Sequence, residues 1–434
     1  MLRNLMLMAL SFAAITSADA QDADTVGLAR TVGLAREALA RMPAIWHVSA
    51  DTVEWLFTGV DSAYVTRRSA PGARDRIVPF TLPIGTPRAN MSVDIDGQRY
   101  AMVLLPIGGT EDDRVRLLVH EATHTLQPHL LPNPGNTEPM DGGDLLATAA
   151  GRTWLFLELR ALAKAITLDG DARRTAARDA LLFRALRDTL ATPSERARLD
   201  ALDLVEGIPS YSAWRLTLAT PEALAAQLDS SPMLARSWVR AVSYATGPAY
   251  GFLLDALAGS AWRDAHRSGA RLPDLLALVL GTSPVTDDIG ARARLYGGDE
   301  IRVAERAREK EIAERLESFR ERFTRGRVLR LFPGVLRVTF DPNGQYPLGE
   351  HGTVMMGFRW TAEDGAELRA PEGALVAPDW SYVQLPLSTA NTTRLTAGTL
   401  DSPLKLEGTG WTLSLPAGWR ISIAGGRTEV RPPI

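Results

Sequence analysis

An α+β protein is predicted, with a small β unit first, an α-rich domain second and an antiparallel β domain last. Three observations predict it. Residues 91–106 read as a hairpin that leads directly into a helix. Helical periodicity then runs from Asp112 to about Arg325 with few breaks. Past Gly326 the texture changes to short alternating runs separated by Gly, Pro, Asn and Asp. The expected boundaries are a signal segment over 1–20, an N-terminal helix and β-hairpin region over 21–110 packing on the next domain, an α-helical domain over 111–326, and the β domain over 327–434. A chain of 434 residues has length for two to three domains and a sizeable core.

Residues 1–20 combine Arg3, an apolar run from Leu5 to about Thr16, and Ala18-Asp19-Ala20 ahead of Gln21, the small-x-small pattern of a secretory cleavage site. The apolar run falls short of the roughly 18 residues that a spanning helix needs. Export to the periplasm or medium, with removal of this segment, is the expectation. The chain has no cysteine, so neither a lipidated cysteine nor a disulfide is available, and stability must come from the core, helped by a metal if one binds.

The hexapeptide Thr-Val-Gly-Leu-Ala-Arg occurs in tandem over 25–30 and 31–36. A period of six suits neither helix nor strand, which points to a local duplication and not to a repeat architecture. In the hairpin, Ser92 to Ile95 alternate, Asp96-Gly97 is a turn signal, and 100–105 form a second strand. Breaks in the helical region fall at Pro132-Asn133-Pro134-Gly135, Asp169-Gly170, Thr192-Pro193 and Ser230-Ser231-Pro232. Residues 300–325 alternate Glu and Arg at spacings of three and four, as on a solvated connecting helix. The strands expected beyond it lie at 335–340, 354–360, 381–387, 411–415 and 419–423, in a small sandwich or barrel.

Composition narrows the function classes. With 45% hydrophobic and 23% charged residues, a net charge of -3 and a pI near 6.1, the chain is an ordinary globular protein with no charge asymmetry that would announce a nucleic-acid partner. Only Lys164, Lys310 and Lys405 are lysines. No segment after the signal is apolar enough to span a membrane.

The sharp signal is His120-Glu121-Ala122-Thr123-His124. Histidines four apart stand one turn above each other on a helix, so two imidazoles can reach one zinc while the glutamate between them acts as a base on its water. With six histidines and 22 glutamates in the chain, this pattern arises by chance roughly 0.004 times. Val115, Leu118, Val119, Ala122 and Leu126 recur at helical steps and root the helix in a core. His129 stands off the metzincin spacing, since Gln127 and Leu130 occupy the positions where that pattern has Gly and His, so His129 is expected at the surface.

A hydrolytic zinc site needs a third protein ligand, and two glutamates qualify. Glu158 projects into the apolar side of a helix formed by Trp154, Leu155, Ala161, Leu162, Ala165 and Ile166, with Arg152, Arg160 and Lys164 opposite. A carboxylate there must be metal-bound, hydrogen-bonded or paired with a core arginine. Glu206 follows a helix starting near Pro193, and Glu206-Gly207 has the look of either a ligand or a helix end with a glycine cap.

The ordered set His120-Glu121-x-x-His124, Glu206-Gly207-Ile208-x-x-Tyr211 and Tyr244-x-x-Gly247 followed by Leu253-Leu254 resembles the gluzincin metallopeptidases, nearest the branch of the alanyl aminopeptidases and the leukotriene hydrolase. The resemblance covers roughly residues 117–257. It implies a zincin-like domain with Glu206 as third zinc ligand, Glu158 being the alternative, and with Tyr244 stabilising the oxyanion. It also implies a peptide or protein substrate. Pro209 stands where the branch has Ala, and the interval from His124 to Glu206 is longer than in the branch. No Gly-x-Met-Glu-Asn segment precedes His120, so the resemblance does not extend to an aminopeptidase. Two rivals share the residues: a binding protein for peptide or cell wall with a structural zinc, and a zinc hydrolase of a non-peptide amide or ester. An intact Glu121 speaks against the first. Substrate, mode of cleavage and oligomeric state are not legible.

Overall fold

The computed structural model describes residues 25–59, 62–70, 72–83, 86, 88–131, 145–230, 241–281, 288–333, 337–341, 344–388, 391, 395–424 and 427–433. The signal-like segment 1–20 and the break at Pro132-Asn133-Pro134-Gly135 lie outside them. The architecture is α+β, as expected. The described residues up to Arg306 form one compact unit and those from Ala307 a second.

The first unit opens with α1 (Thr25–Leu39) and α2 (Met42–Trp46), followed by β1 (Glu54–Thr58), β2 (Ala63–Arg67), β3 (Arg76–Pro79), β4 (Met91–Ile95) and β5 (Gln98–Leu104). Both copies of the hexapeptide lie in α1, the helix expected at the N-terminal end of this region. Six residues rotate a helix by about 600°, so equivalent residues face different ways: Val26 is 80% exposed and Val32 fully buried. The expected hairpin is β4–β5, with Asp96 (φ 51°) and Gly97 (φ 79°) in the left-handed region that its two-residue turn requires. It is only part of a five-stranded sheet, ordered β3-β2-β1-β5-β4, in which β1 and β5 run parallel. Alternation serves two faces. Trp55, Phe57, Ala101 and Val103 join the helical core, while Leu56, Tyr100 and Met102 bury the other side.

The helices that follow are α3 (Glu111–Leu130), α4 (Ala149–Thr167), α5 (Gly170–Thr189), α6 (Pro193–Leu216), α7 (Pro221–Ser230), α8 (Ala241–Ala258), α9 (Trp262–Arg267), α10 (Leu272–Leu280), α11 (Ile289–Arg294) and α12 (Gly298–Arg320). Thr110 and Asp113 start α3 with reciprocal side-chain to backbone hydrogen bonds, and Glu111, Asp112 and Asp113 suit the positive end of its dipole. The buried Trp55 indole donates to the Leu118 carbonyl at 3.0 Å, tying α3 to the sheet. Thr192 and Glu195 cap α6 in the same way as α3. Gly207 does not end that helix; α6 runs through Pro209 to Leu216, so Glu206 sits within it. Arg152, read on the side of α4 opposite its apolar residues, is buried and pairs with Glu305 of α12 at 2.5 Å. The rest of α12 carries the expected exposed pairs, such as Glu311 with Arg315 and Glu317 with Arg320. Among the described residues no helix is long and apolar enough to cross a membrane.

The second unit holds β6 (Val328–Leu331), β7 (Arg337–Thr339), β8 (Gln345–Pro347), β9 (Thr353–Met355), β10 (Phe358–Thr361), β11 (Glu367–Ala370), β12 (Ala374–Val376), β13 (Val383–Pro386), β14 (Gly398–Thr399), β15 (Leu404–Gly408), β16 (Trp411–Leu415), β17 (Arg420–Ala424) and β18 (Arg427–Arg431). One sheet is ordered β15-β16-β11-β10-β7 and the other β14-β17-β18-β6-β13-β12-β9-β8. Pairing is antiparallel except between β18 and β6. Leu329, Val376 and Leu385 of one sheet share a core with Trp360, Leu368 and Leu413 of the other, so the sheets pack face to face. The run expected as one strand over 354–360 is two, because Gly357 (φ 61°) turns the chain between sheets.

Candidate metal centre

Helix α3 supplies His120 and His124, and α6, packed against it, supplies Glu206. Their ligand-capable atoms converge. His120 Nε2 and His124 Nε2 are 3.0 Å apart, and Glu206 Oε2 lies 3.3 Å from the first and 3.2 Å from the second. Zinc bonds of about 2.0–2.1 Å in a tetrahedron set neighbouring ligand atoms about 3.3–3.4 Å apart. The observed triangle is within a few tenths of an ångström of that, so these residues fit a zinc-sized cation. The His124 and Glu206 side chains remain 14% and 18% exposed, which leaves an approach for ion and water.

The triangle is electrostatically tense. Between these side chains alone, burial draws the His124 imidazole down, but Glu206, with Glu121 and Gln127 adding, carries it up to about 9. Burial keeps His120 below its usual range, partly offset by Glu206. Burial also acts against the Glu206 carboxylate, yet hydrogen bonds from both imidazoles hold it far below the usual carboxylate range. A proton can bridge only one of the three atom pairs at a time. A divalent cation accepts all three lone pairs together.

Glu121 is buried beside this group without belonging to it. Burial pushes its carboxyl up to about 8, with His124 opposing and Glu206 reinforcing. Tyr244, on α8, stacks its ring on His120 at 4.9 Å between centroids and 22° between planes. Its position has a packing cause. A Cβ on Gly247 would collide with the Gly207 backbone, and one on Gly251 with the Tyr211 ring, so the two helices approach closely only because these residues are glycines. Glu206-Gly207 and Tyr244-x-x-Gly247 are thus two sides of one helix crossing.

Glu158 lies elsewhere. Its carboxylate accepts from Arg187 at 2.6 Å and from the Tyr250 hydroxyl at 2.7 Å, with Arg184 at 3.5 Å, all buried. Tyr211 donates to Asp255 at 2.7 Å and receives from Arg263 at 2.5 Å, so its hydroxyl is occupied in the core. His129 is exposed. Two neighbours of the centre escape a reading of the sequence alone. Gln127 Oε1 lies 3.0 Å from His124 Nδ1, and Ser210 Oγ lies 3.4 Å from His120 Nδ1. Helical spacing is their signal, since Gln127 is three residues past His124 and Ser210 four past Glu206.

No family model matches the chain, and no curated protein or solved structure does either. The likeness to gluzincins therefore stands on the residues themselves, and the statement they carry is a buried group of His120, His124 and Glu206, in a helical unit, that can hold a metal ion.

Proposed function

We propose that this chain is an exported zinc-dependent hydrolase of the gluzincin kind, cleaving peptide bonds with Glu121 as general base. The observation that carries this reading is the triangle of His120 Nε2, His124 Nε2 and Glu206 Oε2, with edges of 3.0 to 3.3 Å. His120, His124 and Glu206 would hold the zinc, which would supply Lewis acidity and lower the pKa of a water toward ~7. Glu121, one residue along from His120 and outside the triangle, would take a proton from the attacking water and return it to the leaving amine. Tyr244, fixed against His120, donates to the oxyanion as charge builds on the scissile carbonyl. Glu158 is given a structural role, because its two oxygens are already taken by Arg187 and Tyr250 in the core. Export rests on the 1–20 segment.

Metal analysis of the purified protein, paired with a peptide library, tests the proposal. About one zinc per chain and cleavage of peptides are expected. Glu121→Gln should keep the zinc and lower turnover ~10²- to 10⁴-fold, since the residue moves a proton and does not hold the ion. Full activity in Glu121→Gln, or a wild-type protein that takes up no zinc, defeats the mechanism. Cleavage confined to esters or non-peptide amides reassigns the substrate.

A further inference from the structure

Building on the metal reading, we infer that Gln127 is the positioning residue of the centre, a clamp that orients His124 by using a carbonyl freed by Pro209. Proline at 209 has no N–H, so the Val205 carbonyl, four residues earlier in α6, loses its intrahelical donor. That carbonyl must then find another partner. Gln127 of α3 supplies it, with Nε2 donating to the Val205 oxygen at 2.7 Å. A carbonyl only accepts, so this bond fixes which way the Gln127 amide points. Its Oε1 is thereby turned to His124 Nδ1, 3.0 Å away, and that nitrogen must carry the proton. The consequence falls on the other side of the ring. With the proton held at Nδ1, the Nε2 lone pair faces His120 and Glu206, the orientation a metal ligand needs.

The same bond registers two helices. Val205 directly precedes Glu206, so Gln127 ties the α3 turn bearing His124 to the α6 turn bearing Glu206. Ser210 reaches His120 from the next turn of α6 at 3.4 Å. Pro209, a departure from the pattern the chain otherwise resembles, thus has a use: an ordinary residue there would return a donor to Val205 and compete with Gln127.

The test is zinc affinity by chelator competition, together with the visible spectrum of the cobalt(II)-loaded protein, which reports ligand geometry without turnover. Gln127→Met, similar in volume but unable to bridge, is expected to weaken zinc ~10- to 100-fold and to shift the cobalt bands. Pro209→Ala is expected to weaken zinc to a smaller extent while the thermal midpoint holds or rises. Wild-type affinity with an unchanged cobalt spectrum in Gln127→Met overturns the clamp and leaves the metal reading intact. No zinc binding by the wild-type protein overturns both. Should Gln127→Met fail to fold, Pro209→Ala decides the matter: weakened zinc supports the clamp and unchanged affinity overturns it.

Discussion

Glu206 and Glu158 are both carboxylates within helices of the same unit, yet their surroundings differ in kind. Glu158 faces two guanidiniums: Arg187 pairs with it, and Arg184 bridges it to Asp203, which is held in turn by Ser243 at 2.7 Å. Asp188 also reaches both arginines, at 3.4 Å from Arg187 and 3.9 Å from Arg184, and both carboxylate oxygens of Glu158 have donors. Glu206 faces two imidazoles whose nearest nitrogens, once deprotonated, offer lone pairs. The first cluster is a network of ion pairs among protein side chains, and the second is a group that can hold a cation. Arginine cannot give up its proton and so serves only as a counter-charge, whereas imidazole can become a ligand. Burial opposes the charge of both carboxylates, and the partner then sets which role each can take.

The comparison is broken most decisively by removing each carboxylate in turn. Glu206→Ala should weaken zinc by more than the ~100-fold that follows loss of an orienting neighbour, with the helical unit still folded by circular dichroism. Glu158→Gln should do the reverse: zinc affinity stays within a few-fold, while unfolding stability falls by ~3–5 kcal/mol as the arginines lose their counter-charge. Chelator competition and denaturant titration on both variants read the two effects. If Glu158→Gln abolishes zinc binding in folded protein, the assignment of roles is wrong.

A smaller effect tests whether the clusters share a support. Helix α8 carries Tyr244 to one and Tyr250 to the other, and Gly247 lies between them against Gly207. Gly247→Ala should cost ~1–3 kcal/mol by overpacking and also lower activity by shifting Tyr244. Unchanged stability would show that the crossing relaxes freely.

A buried imidazole without a carboxylate sharpens the contrast by pH. His266 donates from Nδ1 to the Ala270 carbonyl at 2.8 Å, and its Nε2 has no partner among the described residues. Burial pulls it down to about 4, with the Ala270 bond only partly opposing. Since the folded-state value lies below the unfolded one near 6.5, the unfolded chain binds the extra proton first as pH falls. The contribution is therefore complete above about pH 6.5 and lost between there and pH 4, at ~1.4 kcal/mol per pH unit. Denaturation of wild type and His266→Gln across pH 4.5–7.5 should show a shallower slope in the variant; parallel slopes would exclude His266 as their source.

Where periodicity and local chemistry act within a few residues, the sequence is readable. Thr192-Pro193 at the start of α6, the Asp96-Gly97 turn, and the helix placing His120 and His124 on one face each follow from short-range rules. The first three strands of the N-terminal sheet are not legible in that way, because β1 and β5 pair in parallel across some forty residues and no local signal announces such a partner. Pro209 points toward a helix boundary on local rules, but the helix continues through it, and Gln127 of another helix donates to the Val205 carbonyl.

The sequence by itself determined the α+β order of elements and the His120-Glu121-x-x-His124 helix with its buried stripe, since these depend on residue type and spacing along one segment. It also narrowed the third ligand to two glutamates. What surrounds each of them belonged to tertiary structure alone, because it comes from other helices: Arg187 and Tyr250 reach Glu158, while the close Gly207–Gly247 crossing and the Gln127 bond hold α6 where Glu206 meets both histidines. A carboxylate's chemistry is set by the charges within a few ångströms of it, and those neighbours are separated in the chain by tens of residues.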